Sequence, residues 1–573
     1  MSGVEAVAAS PSAESPRIPG RELAGITALG CLFAVLLNLS LVTHITKVPA
    51  DSADRFFQSW QLAWNGHALL SQPLDFLQSN AFWPLEDSAA FSDGLFGFTP
   101  AGLIGRGPEA ALVRYNLVFL FCAVAAFAGA ALLGRELGLR LPAAVLAGAA
   151  FAFAPFRLAH LNHLHVLGSA PIPLCLFLLL RGYRQQRPGL VFAGFVVAAW
   201  QVMIGFTLGI PLAYLLALLG ALAAIRWWRT DPRPAVSRGV IKATVAGVAV
   251  LVLWSGFQAM PYLEVLRRHA EARRTVEFVE FYSPPLRAYL AAPPDSLLWG
   301  RASEAVRQGM TWAPEMALFP GVTVVVLALA GLALPGAGRR WRLGIALAAL
   351  GSGFLALGFS NPPGRAVYGL LYHLAPGWQS SRTPGRLFTF TSLALALLAG
   401  MGAQALARRR SSPAGEPALP SRLVLAVPAV LTVLVLAEGA GRSTADSFAD
   451  PPVRRLPQAG PQMHLPSGGF YDVTYMFWST DGFPLMVNGY SGFTPDLQRS
   501  LQTELAGFPD LQTVERLREL GVRSVVLHPD LAAGTPWEGS EDRPVEGLGL
   551  GVSRQGGMVV FELAEGAPEG RAP

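Results

Sequence analysis

Long apolar runs decide what this chain can fold into. Eleven of them recur, at 23–43, 111–133, 143–155, 167–180, 190–204, 206–225, 240–260, 317–334, 343–358, 388–406 and 423–437. A helix that crosses a bilayer needs about 20 mainly apolar residues. Inside hydrocarbon its backbone groups must all be bonded within the segment. The runs therefore predict an all-α polytopic membrane domain of about eleven spans over 23–437. Composition agrees: of 573 residues 52% are hydrophobic and 14% charged, against about 25% charged in soluble proteins. A row of soluble domains is excluded, because it would expose a continuous apolar surface. The polar stretch 1–22 lacks a small-residue cleavage site, so the first run reads as an uncleaved span behind a cytoplasmic tail.

The arginines fix the expected sidedness. Arg17 and Arg21 precede the first run, Arg135 and Arg140 follow the second, and Arg181, Arg184 and Arg187 follow the fourth. Arg226, Arg229, Arg233, Arg238 and Lys242 follow the sixth, Arg339, Arg340 and Arg342 the eighth, and Arg408, Arg409, Arg410 and Arg422 the tenth. Every second loop is short and basic, which places these loops and the N terminus in the cytoplasm and the C terminus outside. One basic cluster, Arg267, Arg268, Arg273 and Arg274, falls on the opposite side. The net charge of +6 is thus a topology signal and not a nucleic-acid face.

Three large segments are left outside: loops 44–110 and 261–316 and the tail 438–573. In the tail, 511–520 has helical apolar spacing, Gly521 is a stop signal, and 522–527 reads as a strand. A small extracytoplasmic α/β domain is expected there. Cys31, Cys122 and Cys175 all lie in apolar runs and read as core residues. There is no transporter-type repeat and no nucleotide-binding Gly-rich loop.

The outer segments hold the candidate chemistry. Asp54 stands just after the first span, before an amphipathic stretch in which Trp60 and Trp64 share a face at i,i+4 spacing. That pair reads as a membrane-interface helix. Asp54 is a candidate general base, and Asp93 a second acid in the same loop. Beyond the third run come Arg157, His160, His163 and His165. His160 and His163 share a face at i,i+3. A metal there would need further ligands from elsewhere in the chain, and no metal-ligand motif is present. After the ninth run, Arg382 and Arg386 stand against the positive-inside bias, where phosphate binding is one reading and snorkelling the other.

These residues carry a resemblance. The Asp54…Trp60…Trp64 block, Asn80–Pro84, Ser92–Gly97, 153–163, 291–300, 315–321, Arg382–Arg386, 487–493 and 515–525 resemble bacterial GT-C-type polytopic membrane glycosyltransferase-like proteins over almost the whole chain. The resemblance implies a sugar passed from a polyprenyl-phosphate carrier to an envelope glycan, lipid or protein on the outer face of the bacterial cytoplasmic membrane. It implies Asp54 as base, Asp93 or Glu315 as a helping acid, and Arg157, Arg382 and Arg386 at the carrier phosphate. It leaves His160, His163, Trp60 and Trp64 as substrate-site candidates and any metal cofactor open. Where such proteins often carry Gly before the first-loop acid, Ala53 stands here. Two other readings remain: a non-catalytic envelope assembly protein on the same fold, and a lipid or glycan transporter. The transporter is disfavoured because ionisable groups avoid the middle of the spans.

Overall fold

The apolar runs become helices, and the first large loop and the C-terminal segment pack together as a roof. The computed structural model describes residues 16–49, 53–335, 338–409, 421–442 and 448–563. The N-terminal residues 1–15, Arg410 and the side chains of Arg409 and Arg422 lie outside the described residues.

Each of the eleven runs falls on a helix. Among the described residues seven helices are long and apolar enough to cross a membrane, including Gly107–Glu136, Phe206–Arg229 and Arg238–Arg268. Pro188–Ile204, Val322–Ala333 and Ala426–Glu438 are apolar but shorter, and Arg339–Ala356 begins with three arginines. The chain is a multi-pass membrane protein. Pro108, Pro142, Pro171 and Pro188 occupy first-turn positions, where a missing N–H costs nothing and the fixed φ favours the helix. Ser237 caps Arg238–Arg268 by accepting from Val240 N.

Within the bundle, Val322–Ala333 lies against Phe388–Arg409 at a close backbone approach. A Cβ on Gly331 would stand 2.0 Å from Leu398 O, and one on Gly402 2.0 Å from Leu327 O. Two glycines facing each other let van der Waals packing hold helices that gain no hydrophobic drive in lipid.

The C-terminal segment carries a four-stranded sheet, in the order Gln462–Leu465, Ser524–Leu527, Met558–Leu563, Leu550–Gln555. The first pair is parallel and the others antiparallel. Ser524–Leu527 is buried along its whole length, as a central strand with both faces covered must be. Helix Leu511–Glu519 opens on an Asp510–Thr513 capping box. It is followed by Gly521 at φ 72°, the left-handed stop that glycine adopts without strain.

This segment is knitted to the first large loop. Phe82 N donates to Asn488 O at 3.2 Å, Trp83 N to Met486 O at 2.9 Å, and Met486 N to Asn80 O at 2.7 Å. The Asn80 amide donates to Ser479 Oγ and Pro484 O, both at 3.0 Å. Helix Ala53–Ser71 packs on Phe470–Trp478, with Phe56 and Phe477 stacked at 4.5 Å. This corrects the reading of Trp60 and Trp64. Both are buried, stacked 6.3 Å apart, and donate to Asn80 Oδ1 and Phe76 O. They are core residues of the roof and do not face lipid headgroups.

Candidate functional site

Five separate segments bring ionisable side chains together beside the C-terminal segment. Asp54 lies in the first turn of Ala53–Ser71. The helix Leu141–Ala152 ends at Phe153, and Pro155 opens the four-residue helix Pro155–Leu158. The turn beyond it carries His160, which is buried, and His163, which is partly buried. Glu315 sits in the short helix Ala313–Met316, and Arg386 in the turn Pro384–Leu387 before Phe388–Arg409. Loop 487–493 of the C-terminal segment closes the site with Tyr490.

His163 links the two acids. Its Nε2 lies 3.1 Å from Asp54 Oδ2 and 3.5 Å from Glu315 Oε1. Tyr490 donates its hydroxyl to the other Asp54 oxygen at 3.1 Å. Glu315 is buried and held by Arg386 through two contacts, Nη2–Oε1 at 2.5 Å and Nε–Oε2 at 3.2 Å. Arg386 Nη1 also reaches His165 Nε2 at 2.7 Å. A guanidinium donates, so that His165 nitrogen accepts. Gln58 Nε2 lies 3.4 Å from the other nitrogen, His165 Nδ1.

Accessibility separates the two carboxylates. The Asp54 side chain is 37% exposed and that of Glu315 5%. Burial raises the Asp54 carboxyl. The hydrogen bond and charge of His163, the Tyr490 hydroxyl and the Arg386 charge outweigh this and hold it below the usual range. Burial also raises Glu315, but Arg386, His163 and His160 bring it well below that range. Burial pushes His160 down to about 3, with His163 and Arg386 adding to the shift against Glu315. The site thus presents one accessible charged carboxylate, backed by a buried ion pair and a neutral imidazole.

Several sequence candidates take other work. Asp93 Oδ1 accepts from Phe206 N at 2.9 Å and Oδ2 from Thr207 Oγ1 at 2.7 Å. Its carboxylate caps helix Phe206–Arg229, where four orphan N–H groups and the dipole favour an anion. Asp93 is therefore withdrawn as a second catalytic acid. Asp93→Ala is expected to cost about 1 kcal/mol of stability in thermal unfolding, the usual value of a cap. Arg157 is buried, donating to Ser169 Oγ at 2.8 Å and Leu167 O at 2.9 Å beside the Phe151 ring. It clasps the turn that carries the histidines and is withdrawn from the carrier-phosphate set. Arg386, neutralised by Glu315, is likewise not a free anion ligand.

Arg382 keeps that capacity. It is half-buried, touches Gly492 O at 3.4 Å and lies over Tyr282 at 5.2 Å. Arg274 joins it across the Phe278 ring, at 5.7 Å against 5.9 Å for Arg382. Burial and the neighbouring Arg382 charge push Arg274 down to about 10. Among the described residues its guanidinium makes no hydrogen bond or ion pair. The signal for Arg274 was its place in the one basic cluster that breaks the loop-charge pattern. Tyr490 had no signal beyond lying in 487–493.

His160, His163 and Glu315 offer ligand atoms that all lie within 4.8 Å of one another. Glu315 is the further ligand-type group that the two histidines needed from elsewhere in the chain. Both ring nitrogens of His160 are buried without a hydrogen-bond partner, so the histidine side fits a cation. The Glu315 side, already neutralised by Arg386, does not.

No family model and no curated protein matches this chain. Solved structures do. The chain is similar to the mycobacterial arabinofuranosyltransferase AftD, with TM-score 0.54 and 17% identity over 96% of this chain. The fold is of the GT-C type. This GT-C chain spans 42% of the AftD chain. ArnT from Cupriavidus metallidurans, bound to undecaprenyl phosphate, aligns over 94% of this chain with TM-score 0.47 and 15% identity. The oligosaccharyltransferase AglB from Archaeoglobus fulgidus, bound to an inhibitory peptide and a dolichol-phosphate, aligns over 95% with TM-score 0.43 and 13% identity. In this GT-C fold the Asp54 cluster lies where the first large loop meets the C-terminal segment.

Proposed function

We propose that the protein transfers a sugar from a polyprenyl-phosphate-linked donor to an envelope glycan, lipid or protein acceptor. The reaction takes place on the outer face of the bacterial cytoplasmic membrane, with the N terminus inside and the C terminus outside. One observation carries the reading: a charged, accessible carboxylate, Asp54, is fixed by His163 and Tyr490 under the same loop 487–493 that Arg382 touches, and Arg382 shares the Phe278 ring with Arg274, neither arginine making an ion pair among the described residues.

Asp54 accepts the proton of the acceptor hydroxyl as its oxygen forms the bond to the anomeric carbon. The bond from that carbon to the carrier phosphate breaks, and its electron pair leaves with the phosphate. Arg274 and Arg382 neutralise the charge that develops there. Glu315 and Arg386 do not touch the reacting atoms. Their buried pair orients His163, and His163 orients the base. The roof of first loop and C-terminal domain holds the two substrates in register and limits water.

The test is genetic and chemical. Envelope polysaccharides and glycoproteins of the host deleted for this gene are profiled by mass spectrometry, with and without the restored wild-type protein. The expected result is a missing sugar that wild type returns and an equally abundant Asp54→Asn protein does not. Full restoration by Asp54→Asn would overturn the base assignment and leave the assembly-protein reading. A second expectation concerns the arginines. Arg274→Gln and Arg382→Gln should each weaken binding of undecaprenyl phosphate to the purified protein by about tenfold, the worth of one charge-assisted contact. Arg157→Gln, whose donors are engaged elsewhere, should not show that pattern.

A further inference from the structure

The C-terminal domain reaches the Asp54 cluster through one loop, and everything behind that loop is built to hold it still. Buried Asn488 donates to Asp472 Oδ1 at 2.7 Å and to His464 O at 3.0 Å, and its own oxygen accepts from His464 N at 2.7 Å. Gln498 donates to Asp472 Oδ2 at 2.8 Å and to Gly489 O. Tyr490 N meets Met476 S at 3.0 Å, and its ring packs edge-on against Phe57 at 5.6 Å. A Cβ on Gly489 would stand 2.5 Å from the Phe82 ring, so the loop is wedged against the first large loop. At the far side Gly492 O accepts from Arg382.

A loop with this backing does one thing at its tip: it places a phenol on the base. We infer that Tyr490 is a positioning residue of the transfer site, contributed by the C-terminal domain, which sets the orientation of Asp54. The inference rests on the proposed role of Asp54. The groups facing that carboxylate are His163 and Tyr490 by direct contact, with Arg386, Glu315 and Tyr115 beyond them. The neighbouring Arg55 turns away, to Asn116 and Asn162. With His163 on one oxygen and Tyr490 on the other, the carboxylate cannot rotate without breaking a bond. Each oxygen keeps a free lone pair for the acceptor hydroxyl. A hydrogen bond donated to the charged form favours that form, so removing the phenol favours the proton.

The experiment reads Asp54 directly in membranes containing the full chain. Dicyclohexylcarbodiimide modifies protonated carboxyls, and labelling of the Asp54 peptide is followed by mass spectrometry against pH. In Tyr490→Phe the labelling curve is expected to move to higher pH. Sugar transfer restored in the deletion host should fall about tenfold, the scale of one hydrogen bond to a charged group, with the acid limb of its pH profile moving the same way. Gly489→Ala keeps the phenol but pushes the loop off Phe82, and the labelling curve should move in the same direction. Superimposable labelling curves for wild type and Tyr490→Phe would overturn the inference, whatever the transfer assay gives. A moved curve together with full transfer by Asp54→Asn would support the coupling while overturning the reading of Asp54 as base.

Discussion

Asp54→Asn is expected to lower sugar transfer by about a thousandfold, within the range that a positioned general base contributes. The folded protein should remain. The side chain is 37% exposed, and Asn keeps the shape and the oxygen that accepts from Tyr490. What is lost is the ability to take the proton of the acceptor hydroxyl. The check is the initial transfer rate at matched protein levels, beside a thermal unfolding midpoint that stays close to wild type. The pH profile gives the same assignment a sign. The contacts of Asp54 hold it below the usual carboxylate range despite burial, so it stays charged through weakly acidic solution and the acid limb lies low. His163→Gln removes the contact that does most to lower it, and the acid limb should then move upward. An unchanged limb in that variant would mean that Asp54 is not the titrating group.

Arg386→Met should destabilise the protein by about 3–5 kcal/mol, the cost of leaving a buried carboxylate without its partner. Glu315→Gln strands the guanidinium and should act in the same direction. The double variant should recover much of the loss, because exchanging both members of a buried pair removes the stranded charge. Unfolding of the three variants in one detergent measures the coupling, and additive losses would exclude it. The pH dependence follows from the direction of the shift. Glu315 is held well below the carboxylate range, so the folded form binds fewer protons than the unfolded chain. The pair's contribution is complete at neutral pH and is lost in strong acid, as pH falls through the depressed value.

The sequence showed the helices plainly because each run carries its own evidence. Length and apolarity suffice for a span, and Gly521 or the Asp510–Thr513 box needs no distant partner. The errors arose where a side chain's role depends on a residue far away. The spacing of Trp60 and Trp64 shows a common face, yet not that Phe470–Trp478 covers it. Asp93 looked like a free acid because its partner, Thr207, stands 114 residues on. Arg382 and Arg386 are four apart and looked equivalent. Only the fold turns one to Glu315, 71 residues earlier, and the other to an aromatic ring. Glu315 itself was visible as a candidate, but its place between Arg386 and the two histidines was not.

The contact between Tyr490 and Asp54 spans 436 positions of the chain. A ribosome makes Asp54 long before Tyr490, with all the intervening helices still to be placed in the membrane. Until those 436 positions are made, the first loop waits without its cover, its aromatic face open and its acid unclamped. The clamp on Asp54 forms in one step, when loop 487–493 docks on the first large loop. A chain stopped short of loop 487–493 would carry the acid, the histidines and the arginines, with the acid still unclamped.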